Sequence, residues 1–558
     1  MINVLDKTRF EKIRSTILEI PFVSKINNIE LGEFLIMGNI EISFPELEAP
    51  LLFDFVITPE YPLKTHDSES ITFFNPELIQ YSHVMQNGNI CIHTAHSENV
   101  EEKIWIDFHS LKDWIQKYFI NKEKDLKYEH LVVNDLSLNG SRYSFAFTET
   151  DKEFVDGEIG IVKLSLLNDG QYKDEHIRNF YVKYFESFLK VNKNCSWNEF
   201  YLSQPTDLEG IYLFKDSPPA TYNRFAKTIW TELDLPQQII TMLHNFQQKC
   251  HEKDHGKVIP LFIGYRIHNS EIHWQVALME IGKFPLKGIA ERKEGKKTGN
   301  WYTGIKDAPI NWGLSKNSSY EYFFGRGKFC DNLTNSKILI IGIGAVGSMI
   351  ASTLARSGCR SIDFMDHDIK EPENVCRSEY RFSKGIINKT YELTGSLYEI
   401  SPFVTCREIN SDYFGKYIKT FHSDEYYRAN ISADLDRYDI IFDCSTDNDL
   451  MYVLNKLKLK SKLINLSLTN HANELVCAFY PNIYNFVKNQ FTNVLDNDVK
   501  DLYEPTGCWS PTFKASYNDI AVLVQIAMKQ INSIFSGERN ANNFVVQEIS
   551  NSFKILEY

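Results

Sequence analysis

An apolar run, Lys337-Ile-Leu-Ile-Ile341, passes directly into Gly342-x-Gly344-x-x-Gly347 and then into the small-residue stretch around Ser348. A strand feeding a glycine-rich turn that opens a helix leaves few folds available. The glycines let the backbone turn sharply and approach a phosphate, to which the helix N-terminus offers unpaired N–H groups and its positive dipole end. Beyond the turn, a helical stretch to Gly358, a strand Ser361 to Met365 and a later strand Tyr438 to Phe442 follow in alternation. This order predicts βαβ units in a mostly parallel, Rossmann-like sheet, with the ligand at the carboxyl ends of the strands.

The residues after the turn narrow the chemistry. Asp366 lies 24 residues after Gly342, where a ribose-binding carboxylate would fall. On that alone, a dinucleotide dehydrogenase and an ATP enzyme fit equally. Asp366-x-Asp368, Asn374, Arg377 and Lys389, however, bring two cations within reach of a phosphate chain. Nicotinamide chemistry does not need them. An enzyme that drives a carboxylate onto the α-phosphate of ATP does, because two anions must meet. Asp447, after the later strand, can hold Mg²⁺ through oxygen or cap the following helix.

The 558 residues are enough for about three domains, and the formal net charge of −13 comes without a basic tract. Nucleic acid and anionic membrane are therefore not expected as main partners. Met1 to Phe10 lacks the apolar core of a signal peptide, and no window approaches the apolar length of a membrane helix. The ten cysteines include no Cys-x-x-Cys pair, which argues against a zinc knot or disulfide framework. A cytoplasmic protein with reduced thiols is expected.

Upstream, Asp6 to Ile20 carries Phe10, Ile13, Ile17 and Ile20 at helical spacing. Two alternating runs (Ile40, Ile42, Phe44; Leu51, Phe53, Phe55, Ile57) predict an antiparallel meander, and a later helix carries Leu111, Trp114, Ile115, Tyr118 and Phe119. The middle of the chain reads as mixed: strands at Ile211 to Phe214, Val258 to Gly264 and His273 to Ile281, with helices at Asp174 to Leu189 and Pro236 to Lys249. The basic segment Arg292 to Asn300 reads as a mobile loop. The expected domains are thus 1–130, 131–320 and 321–558.

Residues 320 to 558 resemble the ThiF-type adenylation domain shared by ubiquitin-activating enzymes and sulfur-carrier adenylyltransferases. In that family the first Asp of the Asp-x-Asp pair holds the ribose and an Arg eleven residues on contacts phosphate, as Asp366 and Arg377 are spaced. Lys389 corresponds to the family lysine, although its distance from Gly385 departs by one residue, and Asp447-Asn448 corresponds to the metal-binding Asp-Asn. Arg326 is a candidate for the arginine that completes the site. The resemblance implies ATP and Mg²⁺ as cofactors and a homodimer.

Conjugating members also need a cysteine beyond the core strands, and Cys508 in Gly507-Cys-Trp-Ser-Pro-Thr-Phe513 supplies one, before a helix that Ser516 and Asp519 can cap. Its alternative is a buried structural thiol. At the other end, Tyr61-Pro62, His83, Gly88-Asn-Ile-Cys91-Ile92 and Trp105 resemble a ubiquitin-conjugating α+β domain with Cys91 at the catalytic position. The usual His-Pro-Asn is replaced by His83-Val84-Met85, so Asn87, Asn89 or the backbone would have to serve the oxyanion. His83, His93 and His96 could act as base or be solvated loop residues.

A conjugating domain, a middle domain and an activating domain in this order resemble the fused enzymes of bacterial anti-phage CBASS operons. The resemblance implies that the C-terminus of a cGAS-like CD-NTase is adenylated, captured by Cys508, passed to Cys91 and joined to an amine on a protein target. Two alternatives stay open: a sulfur-carrier-type adenylyltransferase without conjugation, and a nucleotide-binding scaffold.

Overall fold

The computed structural model describes the chain apart from residues 1–6, 66–67, 86, 124–136, 173, 217–228, 267–270, 410–411, 423–424, 470–471, 496–514 and 551. The backbone forms two compact units: Met1–Ala146 with Lys152–Lys193 and Thr206–Lys316, and Phe147–Asp151 with Asn194–Pro205 and Asn317–Tyr558. Two short segments of the expected middle region thus belong to the C-terminal unit.

The first unit opens with α1 (Lys7–Glu19), then β1 (Val23–Leu31), β2 (Ile36–Ile42), β3 (Leu51–Ile57) and β4 (Ile71–Phe74), then α2 (Val100–Trp114). The four strands form an antiparallel meander in chain order. Ile40 faces Phe53 and Ile36 faces Ile57 across β2 and β3. Alternation therefore puts Ile36, Ile40, Phe53, Phe55 and Ile57 in one core with Ile13 and Ile17 of α1 and Ile104, Phe108 and Leu111 of α2. Asn99 caps α2 by accepting from the N–H groups of Glu101 and Glu102, and the helix ends in a π-helical turn at Ile115–Ile120.

The rest of this unit is built on an eight-stranded sheet made of β5 (Ser141–Phe147), β6 (Ile159–Tyr172), β7 (Glu175–Ser187), β8 (Asn192–Asn194), β9 (Leu208–Lys215), β10 (Val258–Arg266), β11 (Ile272–Glu280) and β14 (Asn311–Asn317). A helix, α3 (Gln237–Lys249), and a separate hairpin of β12 (Leu286–Lys293) and β13 (Lys296–Ile305) complete it. Two expectations are corrected here. The segment Asp174 to Leu189 is a strand, not a helix: β7 pairs antiparallel with β6 and buries Phe180, Tyr181, Val182 and Phe185. Its aromatic and β-branched content prevailed over an apparent helical spacing. Arg292 to Asn300 is not a loop but a hairpin tip and the strand that leaves it. Glu294 (φ 49°) and Gly295 (φ 79°) make a two-residue turn with both φ positive, which matches the twist of the paired strands.

The second unit carries β15 (Lys337–Ile341), α4 (Ala345–Arg356), β16 (Ser361–Met365), β17 (Ile369–Lys370), β18 (Ile387–Asn388), α5 (Lys389–Ile400), β19 (Thr405–Ile409), β20 (Ile440–Asp443), α6 (Asn448–Lys456), β21 (Lys462–Thr469), β22 (Glu474–Phe479), α7 (Tyr517–Phe535), β23 (Phe544–Ile549) and β24 (Ser552–Glu557). Its sheet has the order β19-β16-β15-β20-β21-β22-β23-β24. The first five strands are parallel and the last three antiparallel. Both faces are covered, which explains the unbroken apolar run of β15. Ile338 and Ile340 pack with Ile350 and Leu354 of α4 and Leu523 of α7, whereas Leu339 and Ile341 pack with Leu450 and Leu454 of α6. None of the described helices is long and apolar enough to cross a membrane.

Candidate active site

At the carboxyl end of β15 the three motif glycines have different reasons to be glycine. Gly342 adopts φ +77°, and a Cβ there would stand 2.5 Å from Ser445 Cα. A Cβ on Gly347 would stand 2.0 Å from the Gly342 carbonyl oxygen. Gly344 precedes the first turn of α4, and a Cβ there would meet nothing within 4 Å. The protein itself demands the first and third glycines; the second keeps open an approach that a ligand can use.

Asp366, just past β16, holds this turn. Its carboxylate accepts from the Ile343 N–H and the Asp368 N–H, each at 2.8 Å. Asp366, His367 and Asp368 bring ligand-type atoms within 4.8 Å of one another. Asp368 in turn receives Lys389 Nζ at 2.8 Å, from the start of α5. Beneath them, Lys370 and Glu392 form an ion pair at 2.7 Å with side chains 2% and 0% exposed, joining β17 to α5. Tyr380 donates its hydroxyl to the Ile343 carbonyl at 2.5 Å, and burial holds that phenol well above its ordinary pKa.

A small cleft lies over the first turn of α4. It is lined by Gly344, Ala345, Asn374, Arg377, Ser378, Tyr380 and Lys389. Sequence reasoning placed four of these residues in one phosphate site, and the fold brings those four together. Gly342, Gly347 and Asp366 are not among the lining residues; they shape the wall from behind. Asn374 accepts from the Glu371 N–H at 2.9 Å, which leaves its amide NH₂ as a donor. Ser378 and Tyr380 were missed, and closeness to Arg377 was the one signal that pointed to them. Two cations, an amide donor and a cradle that a Cβ would fill are what a polyphosphate requires.

Asp447 caps α6, its carboxylate accepting from the Leu450 N–H at 2.7 Å. Capping occupies one oxygen. Magnesium usually takes one or two carboxylates plus substrate phosphates, so the other oxygen fits that use. Next to it, buried Asp443 accepts from the Ser445 hydroxyl (2.7 Å) and the Asn465 amide (2.9 Å), and burial raises its pKa. Arg326 is exposed. Cys508 lies outside the described residues; the capping box of Ser516 and Asp519 that follows it is present on α7.

In the first unit, Cys91 follows a tight loop. Its N–H donates to the His83 carbonyl at 2.7 Å, and His83 itself has φ 61°. Asn87 accepts from the Asn89 N–H at 3.1 Å, so its carbonyl supports the turn. Cys91 is partly buried, and burial, then the nearby Glu69 carboxylate, push its thiol above the ordinary range. Glu69 accepts from Thr94 at 3.3 Å, Thr94 accepts from Lys103 at 2.6 Å, and Lys103 pairs with buried Asp107. Asp107 also receives the Tyr61 hydroxyl at 2.9 Å. His93 and His96 are exposed.

Comparison with known proteins bears on the second unit most directly. Residues 318–481 match the ThiF family. The C-terminal region therefore carries a ThiF domain on a Rossmann-like sheet. The chain is 25% identical over 294 residues to an ATP-dependent ubiquitin transferase-like protein, Cap2, of Enterobacter hormaechei, covering 50% of this chain and 47% of that one. It is 28% identical over 207 residues to the adenylyltransferase and sulfurtransferase MOCS3 of Arabidopsis thaliana, covering 35% and 40% respectively. The matches thus span less than half the length of these relatives. Among solved structures, Escherichia coli MccB with ATP aligns at a TM-score of 0.28 and 18% identity, over 41% of this chain and 65% of that one. That likeness is too low to carry an argument about the ThiF site.

Proposed function

We propose that the protein is an ATP-dependent activating and conjugating enzyme acting on the C-terminus of a partner protein. The observation that carries the reading is the single cleft that gathers Gly344, Asn374, Arg377 and Lys389 over the first turn of α4, with Asp366 behind it. A terminal carboxylate oxygen attacks the α-phosphorus of ATP, the bond from that phosphorus to the bridging oxygen breaks, and pyrophosphate leaves. Arg377 and Lys389 offset the charge that accumulates as the two anions meet, and the amide of Asn374 donates to a phosphate oxygen. Mg²⁺ held by Asp447 would supply further charge neutralisation.

The acyl adenylate is then opened by the sulfur of Cys508, with AMP as leaving group and the thiol proton passing to water or a base. Cys91 takes over the acyl group by thioester exchange, which is nearly isoenergetic, and an amine on the target displaces the Cys91 thiolate to give an amide. The similarity to an ATP-dependent ubiquitin transferase-like protein supports this reading. The CD-NTase partner, the anti-phage role and the homodimer are proposed from the resemblance of the domain order to fused CBASS enzymes, and the cytoplasmic setting from the acidic charge and the scattered cysteines. The similarity to an adenylyltransferase and sulfurtransferase favours a second reading, adenylation without conjugation, which uses the same cleft and does not need Cys91.

Incubation with ATP and a CD-NTase separates these readings. Two thiol-sensitive adducts are expected, both lost in Cys508→Ala and only the second lost in Cys91→Ala. Adenylate formation with no adduct in any variant would replace conjugation by the second reading.

A further inference from the structure

The tip of the β12–β13 hairpin, residues 291–297, carries four cations against two carboxylates, Glu291 and Glu294, and is net positive in an acidic chain. Arg292 faces Lys297 and Lys293 faces Lys296 across the two strands. Like charges placed directly opposite destabilise a strand pair, so solubility alone is a poor reason for this arrangement. Among the described residues, none of the four cations is in an ion pair, and residues 292–299 are all exposed. Further along β13, Trp301 is 68% exposed and Tyr302 52% exposed on opposite faces of the strand.

The base of the hairpin is anchored. Leu286 and Ile305 pack onto the core below, and Thr303 meets the His244 ring of α3 at 3.2 Å. A fixed base with an exposed tip of net positive charge is a pre-ordered arm, and ordering it costs a partner little. We propose that this tip docks an acidic segment of a partner protein, with Trp301 as its apolar anchor. The charge complementarity selects an anion. The whole chain's charge of −13 repels a long polyanion such as nucleic acid, whereas a short acidic peptide meets only the net positive tip, where successive pairs offer cations on either face of the hairpin. The inference does not depend on the adenylation reading.

The test uses the full chain and a fluorescein-labelled decapeptide of alternating Asp and Glu, followed by anisotropy at low and moderate salt. Binding should weaken at least tenfold in K293E/K296E and with added salt, and severalfold in Trp301→Ala at both salt levels. Lys296→Glu alone creates an opposite-charge pair with Lys293, so it keeps the hairpin folded and should still weaken binding. Undiminished binding in Lys296→Glu, or no binding by the parent chain, overturns the proposal. Preferential binding of a labelled oligothymidylate would overturn it too, by assigning the tip to nucleic acid.

Discussion

The Asp366 carboxylate accepts the Ile343 N–H at 2.8 Å, so the residue spaced to hold a ribose also fixes the glycine turn beside it. Its second oxygen takes the Asp368 N–H. A charged acceptor for two backbone donors contributes about 1.5–3 kcal/mol per bond. The turn is thus organised before any nucleotide arrives, and the cost of arranging it is met in folding rather than in binding.

The glycines separate folding from binding. Gly347→Ala forces a methyl group onto the Gly342 carbonyl, and a loss of about 1–3 kcal/mol is expected in urea unfolding. Gly344→Ala meets no protein atom, so its unfolding midpoint should match the parent. Its affinity for ATP should nevertheless fall about tenfold, near 1.4 kcal/mol, by calorimetry. Unchanged ATP affinity would remove Gly344 from the site.

Lys389 and Asp368 form an ion pair whose members play unequal parts. Lys389→Ala should lower ATP–pyrophosphate exchange by roughly 10²-fold, the scale of losing one preorganised electrostatic contact. Asp368 is 55% exposed, so Asp368→Ala should change stability by less than about 1 kcal/mol. Equal loss of exchange in both variants would mean that the pair, and not the lysine charge, is what matters.

The Lys370–Glu392 pair is fully enclosed. Glu392→Ala leaves an uncompensated buried ammonium and should cost about 3–5 kcal/mol in denaturant unfolding. Lys370→Met with Glu392→Leu removes both charges and should cost much less. A double variant as unstable as the single one would show that packing, not charge, is at stake.

Because burial and Glu69 raise the Cys91 thiol, its alkylation by iodoacetamide should accelerate with pH through a midpoint above the usual ~8.5 of a free thiol. Removing the neighbouring anion in Glu69→Gln lowers the pKa and should speed labelling at pH 8. Peptide mapping assigns the rate to Cys91. A slower reaction in Glu69→Gln would contradict the electrostatic assignment.

The parallel sheet and its cleft were legible because the run Lys337 to Ile341 and the glycine spacing are local signals with one physical meaning. The antiparallel meander showed itself through alternation at Ile40, Phe53 and Phe55. β7 was not legible: its tyrosines and phenylalanines suit a strand, but its pairing with β6 is a long-range choice that no window contains. The Glu294-Gly295 turn lacks the commoner Asn-Gly or Asp-Gly signature, so the hairpin around it read as a loop. Ser378 and Tyr380 enter the cleft through the path of the chain after Arg377, which spacing does not encode.

Where a side chain on Gly342 would strike Ser445, two crossover loops lean on each other at the top of neighbouring strands. Any residue but glycine at position 342 would have to push aside the loop that leads to Asp447, so one position ties the shape of the phosphate turn to the placing of that carboxylate.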